Sequence, residues 1–302
     1  MKKIYVFGSL VMDHTTRTRR VPENEETVMG ESFEVSYGGK GINQCHMIKK
    51  LGADVTMIGA VGNDRNGESF IQMMKEENLD TKYIFIKETS TGVSNIILDM
   101  EGQNRIIVVP GANNYLTSED INSIENDIEE DSIFLLQNEI PVETIKTIVN
   151  LGTKKKALIV LNPAPYKELD RDTLNKVTYI TPNENEATQL FSLDEYNEMQ
   201  VLESFNSYQT PYIILTLGDK GSLYYDHHRI IKNLPYKVKV IDTVGAGDAF
   251  NGGLVFGLAN DMPIEKCLEY ANTCGALTIQ KAGALVSHPS KEEVEKFIKE
   301  HN

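Results

Sequence analysis

The sequence predicts an α/β fold: a three-layer α/β/α arrangement around a mostly parallel central sheet, with a second, small β sheet beside it. Short apolar runs alternate with amphipathic helical stretches along the 302 residues, and this order favours a parallel sheet covered by helices on both faces. Several of the apolar runs are rich in β-branched residues, which is typical of strands buried on both sides. Two other segments break this order and have no helix beside them: one alternates between apolar and polar residues, and the other is typical of a hairpin.

The elements of the main layers are expected where these patterns occur. Strands are predicted at residues 3–10, 55–61, 132–136, 157–161, 177–180 and 212–217. Helices are predicted at residues 41–51, 67–77, 141–151, 184–190, 249–258 and 265–281. A strand-like segment at 237–241 leads into the helix at 249–258. No linker rich in Pro, Gly or Ser interrupts the chain, so residues 1–302 are expected to form a single domain.

The small sheet is predicted from two segments. Residues 31–37 place Phe33, Val35 and Tyr37 on one side, and residues 91–110 are typical of a hairpin with a turn at 101–104. A sheet with one uncovered apolar face can close over a site or pair with a second subunit. Ordinary surface hairpins remain an open alternative.

Composition narrows the classes of function. The chain has 30 Lys+Arg against 44 Asp+Glu, a formal net charge of −14, which disfavours binding to nucleic acid or to an anionic membrane. No apolar run approaches the roughly 18 residues that a membrane span needs. The three cysteines form no C-x-x-C pair, which disfavours a disulfide framework or structural zinc, and a cytoplasmic location is expected.

The strongest chemical signal is the glycine-rich stretch at residues 242–253, which opens a helix. Its N–H groups at Gly245, Ala246 and Gly247 would converge on one point at the positive end of the helix, forming an anion hole. Asp248, in the first turn, could hold an incoming hydroxyl group. A purely structural turn is the alternative. A dinucleotide fingerprint is disfavoured because Phe250 occupies its third glycine position.

A second signal lies at residues 38–44, which also open a helix. Its glycines allow a ligand to approach the backbone, and Lys40 and Asn43 supply side-chain donors. Asp13, after the first strand, could accept two hydroxyl hydrogen bonds, and a role as a turn residue is the alternative. Together these groups describe a polyol site. A Walker A loop is disfavoured because Gly41 follows Lys40 where Ser or Thr is needed.

The two motifs together resemble those of the ribokinase family of carbohydrate kinases. They read Gly-Gly-Lys-Gly-x-Asn-Gln at 38–44 and Asp-Thr-x-Gly-Ala-Gly-Asp at 242–248. Further matches follow in the same order over nearly the whole chain: Gly8-Ser9 with Asp13, Asn138-Glu139, residues 181–187, residues 216–221 and Ala271-Asn272. Residues 91–93 and 104–113 are more similar to the ribokinase branch of the family than to its nucleoside kinases.

The resemblance implies transfer of the γ-phosphoryl group of Mg-ATP to the primary hydroxyl of a pentose, with D-ribose to D-ribose 5-phosphate as the first candidate. Asp248 is implied to be the catalytic base, with Gly245, Ala246 and Gly247 as the anion hole. The implied sugar-binding residues are Asp13, Gly39, Lys40, Asn43, Glu139 and Asp248. The implied ATP-binding residues are Asn183, Thr216, Gly218, Gly221, Gly247 and Asn272, with Glu186 placing Mg²⁺ through water.

The resemblance also implies a monovalent cation, usually potassium, beside the anion hole. Its implied ligands, mostly backbone carbonyl groups, belong to Asp242, Val244, Thr278, Lys281, Gly283 and Ser287. The segments at about 14–37 and 91–110 would form a β lid that pairs two subunits into a homodimer.

The sequence departs from the family pattern at one sugar-binding position. Val11 stands two residues before Asp13, where ribokinases usually carry Asn, and the loss of a hydrogen-bond partner could relax or redirect selectivity. Kinases of another sugar or of a nucleoside therefore remain alternatives. A non-catalytic nucleotide- or sugar-binding regulator is a remoter alternative, and a dehydrogenase is the most remote. No role is assigned to His14, Cys267 or Cys274.

Overall fold

The computed structural model describes residues 1–101 and 103–301. Its strands are β1 Ile4–Phe7, β2 Val11–Thr18, β3 Gly30–Gly38, β4 Val55–Gly62, β5 Asp80–Lys87, β6 Gly92–Leu98, β7 Asn104–Val109, β8 Ile133–Gln137, β9 Leu158–Asn162, β10 Tyr179–Ile180, β11 Tyr212–Thr216, β12 Ser222–Tyr225 and β13 Ile230–Asn233. Its α-helices are α1 Lys40–Lys50, α2 Arg65–Glu76, α3 Ser118–Ser123, α4 Val142–Lys154, α5 Arg171–Asn175, α6 Glu184–Leu190, α7 Glu198–Phe205, α8 Ala246–Ala259, α9 Ile264–Thr278 and α10 Lys291–His301.

The main sheet has nine strands in the order β13-β12-β11-β10-β9-β8-β1-β4-β5. Strands from β11 to β5 run parallel, and β12 and β13 add an antiparallel edge. Strand β1 is buried along its whole length; Ile4 and Val6 enter one core, and Tyr5 and Phe7 enter the other. Burial of both faces explains its continuous apolar run. The predicted three-layer architecture is confirmed.

The second sheet has four strands in the order β3-β2-β6-β7. The predicted hairpin is formed by β6 and β7, which pair antiparallel; Gly102, in its predicted turn, lies outside the described residues. The distal part of this sheet is poorly covered: the side chains of Phe33 and Ile107 are 63% and 67% exposed. The alternation at 31–37 and the hairpin pattern at 91–110 therefore correspond to β3, β6 and β7, whereas β2, which lies between β3 and β6, was not predicted. Among the described residues of a single chain, no layer covers the distal apolar side chains of this sheet.

The strand predicted at 237–241 is wrong. These residues pair with no strand in the described part of the chain, and most of their side chains are exposed. Ile241 N–H donates to Ile279 O at 2.8 Å, so the segment is tied to the end of α9 rather than to a sheet. A β-branched run becomes a strand only where a neighbouring strand offers partners, and that cannot be read from local sequence.

All three cysteines are buried as free thiols. Burial raises the pKa of Cys45 and of Cys267 to about 12, and raises that of Cys274 as well. Cys267 and Cys274 lie on α9 and face the core beneath α8. They are packing residues. Among the described residues, no helix combines the length and apolarity required to span a bilayer.

Candidate active site

The predicted site residues converge at the carboxyl ends of the parallel strands. Helices α1 and α8 both begin there, close to the last residues of β1, β8, β9 and β10. In open α/β sheets, ligands bind in the crevice outside these strand ends, where helix N-termini offer unpaired N–H groups.

The start of α8 has the geometry of an anion hole. Gly245 adopts φ +78° as the residue before the helix, a left-handed conformation that glycine tolerates without strain. No atom lies within 4 Å of the point where a Cβ on Gly247 would stand, so the first turn borders open space. Ala246 N–H is directed to Thr243 O at 3.3 Å. The N–H groups of Gly247 and Asp248 belong to the helical turn that lacks preceding carbonyl partners.

Asp248 is held by two amide side chains from α1. Asn43 Nδ2 donates to its Oδ2 at 2.9 Å, and Gln44 Nε2 donates to its Oδ1 at 2.9 Å. Asp248 is 6% exposed. Each carboxylate oxygen keeps a second acceptor position that a hydroxyl group can use. The prediction that Asp248 and Asn43 share one site is therefore supported by direct contact, and Gln44 is an addition that the sequence did not single out.

Glu139 connects the start of α1 with the end of β8. Its Oε2 accepts a hydrogen bond from Lys40 N–H at 2.9 Å and another from the Ser9 hydroxyl. Burial opposes the charge of the Lys40 side chain, but the carboxylates of Asp248, Glu139 and Glu186 outweigh it and raise the pKa of the ammonium group. The site therefore contains a charged lysine among three carboxylates, which suits a ligand carrying both hydroxyl and phosphate groups.

Asp13 lies on β2, in the four-stranded sheet. Its Oδ1 accepts a hydrogen bond from Ser94, and a Cβ on Gly38 would overlap its Oδ2, so glycine makes room for the carboxylate. Burial raises the pKa of Asp13, and the Glu139 charge adds to this effect. The pleat puts Val11 on the same face as Asp13, whereas His14 points to the opposite face against Phe33.

The residues predicted to bind nucleotide line the other side of α8, around the ends of β10 to β13. Asn183 and Glu186 cap α6 reciprocally: Asn183 Oδ1 accepts from Glu186 N–H at 2.8 Å and Glu186 Oε2 accepts from Asn183 N–H at 2.9 Å. Burial raises the pKa of Glu186, although these N–H bonds and the nearby Lys40 charge oppose that shift. Asn272 Nδ2 donates to Ser222 Oγ at 3.0 Å and Asn233 Oδ1 at 2.7 Å, which ties α9 to the antiparallel edge.

The nucleotide side of the site also includes the end of β11 and the turn that follows it. Thr216 forms an isolated parallel bridge with Asn183, and Gly218 and Gly221 flank the short turn that follows β11. A Cβ on Gly218 would meet nothing within 4 Å, so this turn also borders open space. The predicted nucleotide residues are thus grouped, but several of their side chains already have partners within the protein.

The residues predicted to hold a monovalent cation surround the turn before α8. Asp242 Oδ1 accepts from Val244 N–H at 3.0 Å and its Oδ2 accepts from Gly283 N–H at 2.9 Å. Ser287 Oγ donates to Ala284 O at 2.6 Å. The side chain of Lys281 points away, to Glu293 at 3.5 Å. Thr278 Oγ1 is buried without a hydrogen-bond partner.

The comparisons with known proteins fit this geometry. A model described as pfkB family carbohydrate kinase matches residues 1–291. A ribokinase from Lactococcus lactis is 38% identical over 99% of this chain and 98% of that protein. The chain belongs to the pfkB family of carbohydrate kinases. It is therefore a phosphotransferase with an alcohol group as acceptor, as the sequence motifs predicted.

Two further relatives of this kinase bear on its substrate. A deoxyribokinase from Salmonella typhimurium is 30% identical and covers 98% of both chains. The structure of an Arabidopsis thaliana ribokinase complexed with ribose and ATP superposes with a TM-score of 0.90 at 25% identity, covering 99% of each chain. The ribokinase-like fold is confirmed by this similarity.

Sequence reasoning missed several polar residues in the interior of this kinase. Ser9, Gln44 and Gln137 were part of quoted motifs or adjacent to them, yet no role was assigned to them. Asn162 and Asn251 also point into the site from β9 and α8. For Gln137 and Asn162, the sequence does offer a signal, because each is an amide side chain at the end of an apolar strand. A buried amide at such a position needs a hydrogen-bond partner.

Proposed function

We propose that this chain transfers the γ-phosphoryl group of ATP to the primary hydroxyl of a pentose, converting D-ribose to D-ribose 5-phosphate. The observation that carries the proposal is the start of α8. There, Asp248 is fixed by Asn43 and Gln44 beside open space at Gly247.

Asp248 would orient the attacking hydroxyl and accept its proton as the new O–P bond forms. N–H groups of Gly245, Ala246 and Gly247, at the positive end of α8, would stabilise the negative charge on the group being transferred. Of these, the Ala246 N–H must leave Thr243 O, a 3.3 Å contact that is weak enough to exchange.

The sugar would occupy the space between the small sheet and α1. Asp13 and Glu139 offer carboxylate acceptors, and Lys40, Asn43 and the Gly39 backbone lie beside them. Polyols are bound well by such mixed sites because each hydroxyl both donates and accepts. Lys40, charged and between the sugar and phosphate regions, would contact both substrates.

ATP would bind against Asn183, Thr216, Gly218, Gly221, Gly247 and Asn272. Mg²⁺ neutralises phosphate charge in phosphoryl transfer and normally keeps several waters with few protein ligands. Within residues 1–101 and 103–301 there is no cluster of three or more His, Cys, Asp or Glu suited to a metal. Glu186, a half-buried carboxylate near Lys40 and Asp248, fits a contact made through water.

A monovalent cation would lie beside the anion hole, among Asp242, Val244, Thr278, Lys281, Gly283 and Ser287. The buried, unpartnered Thr278 Oγ1 supports this part of the proposal, because a buried hydroxyl oxygen without a partner is rare and K⁺ binds oxygen atoms. Since Asp242 connects Val244 to Gly283, a cation there would order the turn that presents the anion hole. We expect kcat to rise about tenfold on adding KCl at constant ionic strength, relative to tetramethylammonium chloride.

The four-stranded sheet would act as the lid of the site and as the contact between two copies of the chain. On the face that carries Asp13, Ile106 and Val108 are each 51% exposed in the single chain. A second copy that covered them would remove apolar surface from water and keep the sugar pocket dry.

Phosphorylation of 2-deoxyribose is a second candidate function. Val11 is buried on the same face as Asp13 and cannot accept or donate a side-chain hydrogen bond. An apolar side chain there favours an acceptor with one hydroxyl fewer, and a deoxyribokinase is among the relatives.

A coupled ADP-release assay over D-ribose, 2-deoxy-D-ribose, D-fructose and adenosine tests both candidates. The ribose proposal requires the highest kcat/KM for D-ribose, with product identified as the 5-phosphate by mass spectrometry and NMR. A higher kcat/KM for 2-deoxyribose selects the second candidate, and Val11→Asn should then shift the ratio toward ribose by about tenfold or more. Activity with none of the four would contradict both.

A further inference from the structure

Behind Asp248, six groups form a ring that is closed by five hydrogen bonds and by the peptide bond between Gly247 and Asp248. Its members are Asp248, Gln44, Asn162, Thr181, Asn251 and the carbonyl of Gly247. All six residues lie around the strand ends described above, and the four between Asp248 and Gly247 are at most 6% exposed. None of those four was assigned to substrate or nucleotide binding, so their polar atoms require another explanation.

The first half of the ring runs through Gln44. Its Nε2 donates to Asp248 Oδ1 at 2.9 Å and to Asn162 Oδ1 at 3.1 Å, while its Oε1 accepts from Gln137 Nε2 at 2.6 Å. Every polar atom of the Gln44 amide is engaged, so its orientation is fixed. Asn43 differs, because its Oδ1 is buried without a partner. Asn43 therefore keeps an acceptor for a ligand while its Nδ2 holds Asp248, whereas the Gln44 amide is fully committed to protein partners.

The second half returns to the same turn of α8. Asn162 Nδ2 donates to Thr181 O at 3.1 Å, and Thr181 Oγ1 donates to Asn251 Oδ1 at 2.7 Å. Asn251 Nδ2 then donates to Gly247 O at 2.8 Å. From Gln44 to Gly247 each group donates to the next, and Gln44 Nε2 also donates the other way to Asp248, so turning over one of these amides would place two donors or two acceptors face to face.

We propose that Gln44, Asn162, Thr181 and Asn251 are positioning residues that hold the carboxylate of Asp248 in register with the anion-hole peptide at Gly247. This rests on the proposed kinase function. One end of the ring fixes the group that accepts the proton, and the other fixes the backbone that meets the phosphoryl group. Buried networks with all members satisfied are rigid, and errors near 1 Å in such geometry cost about 10²-fold in rate.

The most direct test removes one hydroxyl that contacts neither substrate. Thr181→Val is isosteric and breaks the bond to Asn251 while leaving the Thr181 backbone carbonyl in place. We expect kcat to fall about tenfold with KM for sugar and for ATP within about twofold, since the loss affects alignment and not binding. Thr181→Ser restores the hydroxyl and should restore kcat to within about twofold.

Thr210→Val is the matched control. Thr210 is also buried, its Oγ1 donates to Leu174 O at 2.7 Å, and it lies before β11, at the amino ends of the parallel strands and not at the carboxyl ends that form the site. Thr210→Val loses this one bond, and Thr181→Val loses the bond to Asn251 together with a long 3.5 Å contact from Oγ1 to Leu161 O, so the two variants should show a similar loss of Tm. If Thr181→Val has the same kcat as Thr210→Val, or if its loss is entirely in KM, the ring has no positioning role.

A double-variant cycle tests whether the ring acts as one unit. Gln44→Met should lower kcat about 10²-fold, and adding Thr181→Val should lower it by much less than the tenfold seen in the wild-type background. Full additivity of the two losses would overturn the inference. If the wild type phosphorylates no sugar, the proposed function fails instead. The ring is then judged by NMR: the Gln44 side-chain NH₂ signals must shift in Thr181→Val and stay unchanged in Thr210→Val, and the reverse result contradicts it.

Discussion

The two sides of the cleft are built in different ways. The N-terminal ends of α1 and α8 lie against the buried sheet, and the polar side chains there are held by hydrogen bonds to other buried groups. The four-stranded sheet opposite them contributes Asp13 from a layer whose outer strands are largely exposed. The buried side can hold reacting groups to fractions of an ångström, and the exposed side is free to adjust to the sugar. We therefore expect core-side changes to act on kcat and sheet-side changes on KM.

The largest effect is expected on the core side, at Asp248. Asp248→Ala should lower kcat by about 10³-fold because the group that orients and deprotonates the hydroxyl is lost. KM for ATP should change by less than about threefold. Steady-state kinetics and a thermal melt check this, and Asp248→Asn, which keeps the side-chain shape, should be similarly inactive. Turnover near that of the wild type in either variant would end the assignment of Asp248 as the base.

The next largest effect is expected on the sheet side, at Asp13. Asp13→Asn should raise KM for sugar by roughly tenfold to a hundredfold, since a charged acceptor is lost, with a smaller change in kcat. Although Asp13→Asn should bind sugar more weakly, its free energy of unfolding at neutral pH should be higher than that of the wild type. The folded pKa of Asp13 is raised by burial, so ionisation weakens folding as the pH rises above the unfolded value near 3.8.

Thermal melts between pH 3.5 and pH 8 test this sign. Asp13→Asn should melt higher than the wild type at pH 7, and the difference should shrink as the pH falls through the raised pKa and then below 3.8. In the wild type, KM for sugar should rise over the same interval as Asp13 takes up a proton. If Asp13→Asn is less stable than the wild type at pH 7, the buried charge of Asp13 does not destabilise the folded state.

The smallest effect distinguishes the two faces of the small sheet. Ile106→Glu places a charge on the face that carries Asp13, and it should convert a dimer to a monomer and raise KM for sugar about tenfold. Ile107→Glu is the matched control on the opposite face of β7, where the side chain is also exposed. Sedimentation equilibrium should find that control dimeric. Dissociation by Ile107→Glu alone would place the contact on the other face.

The comparison also explains what the sequence could predict. The helix starts at 40 and 246 follow from local chemistry, since glycines next to an amphipathic or apolar run mark a helix N-terminus. Strands β3, β6 and β7 of the small sheet follow from the alternation in residues 31–37 and from the hairpin pattern in residues 91–110. The helix predicted at 184–190 coincides with α6, Glu184–Leu190.

The remaining features depend on contacts between distant residues. Gln44 and Asn162 are 118 positions apart, and no local pattern shows that their amides meet. The segment at 237–241 has strand-like residues, but the fold places no strand beside it. Strand β5, Asp80–Lys87, was missed because its polar ends hide its short apolar centre. In each case, the local sequence does not show which distant residue or strand lies beside the feature.

The buried thiols give an experimental opening for the motion of the sheet. Thiolates react with maleimides and thiols do not, and Cys45, Cys267 and Cys274 are both shielded from solvent and held in the protonated form. Two engineered cysteines, one on β3 and one on α4, would therefore be labelled without removing the native ones. Fluorescence energy transfer between them could follow opening and closing over the sugar in a chain whose interior is unaltered.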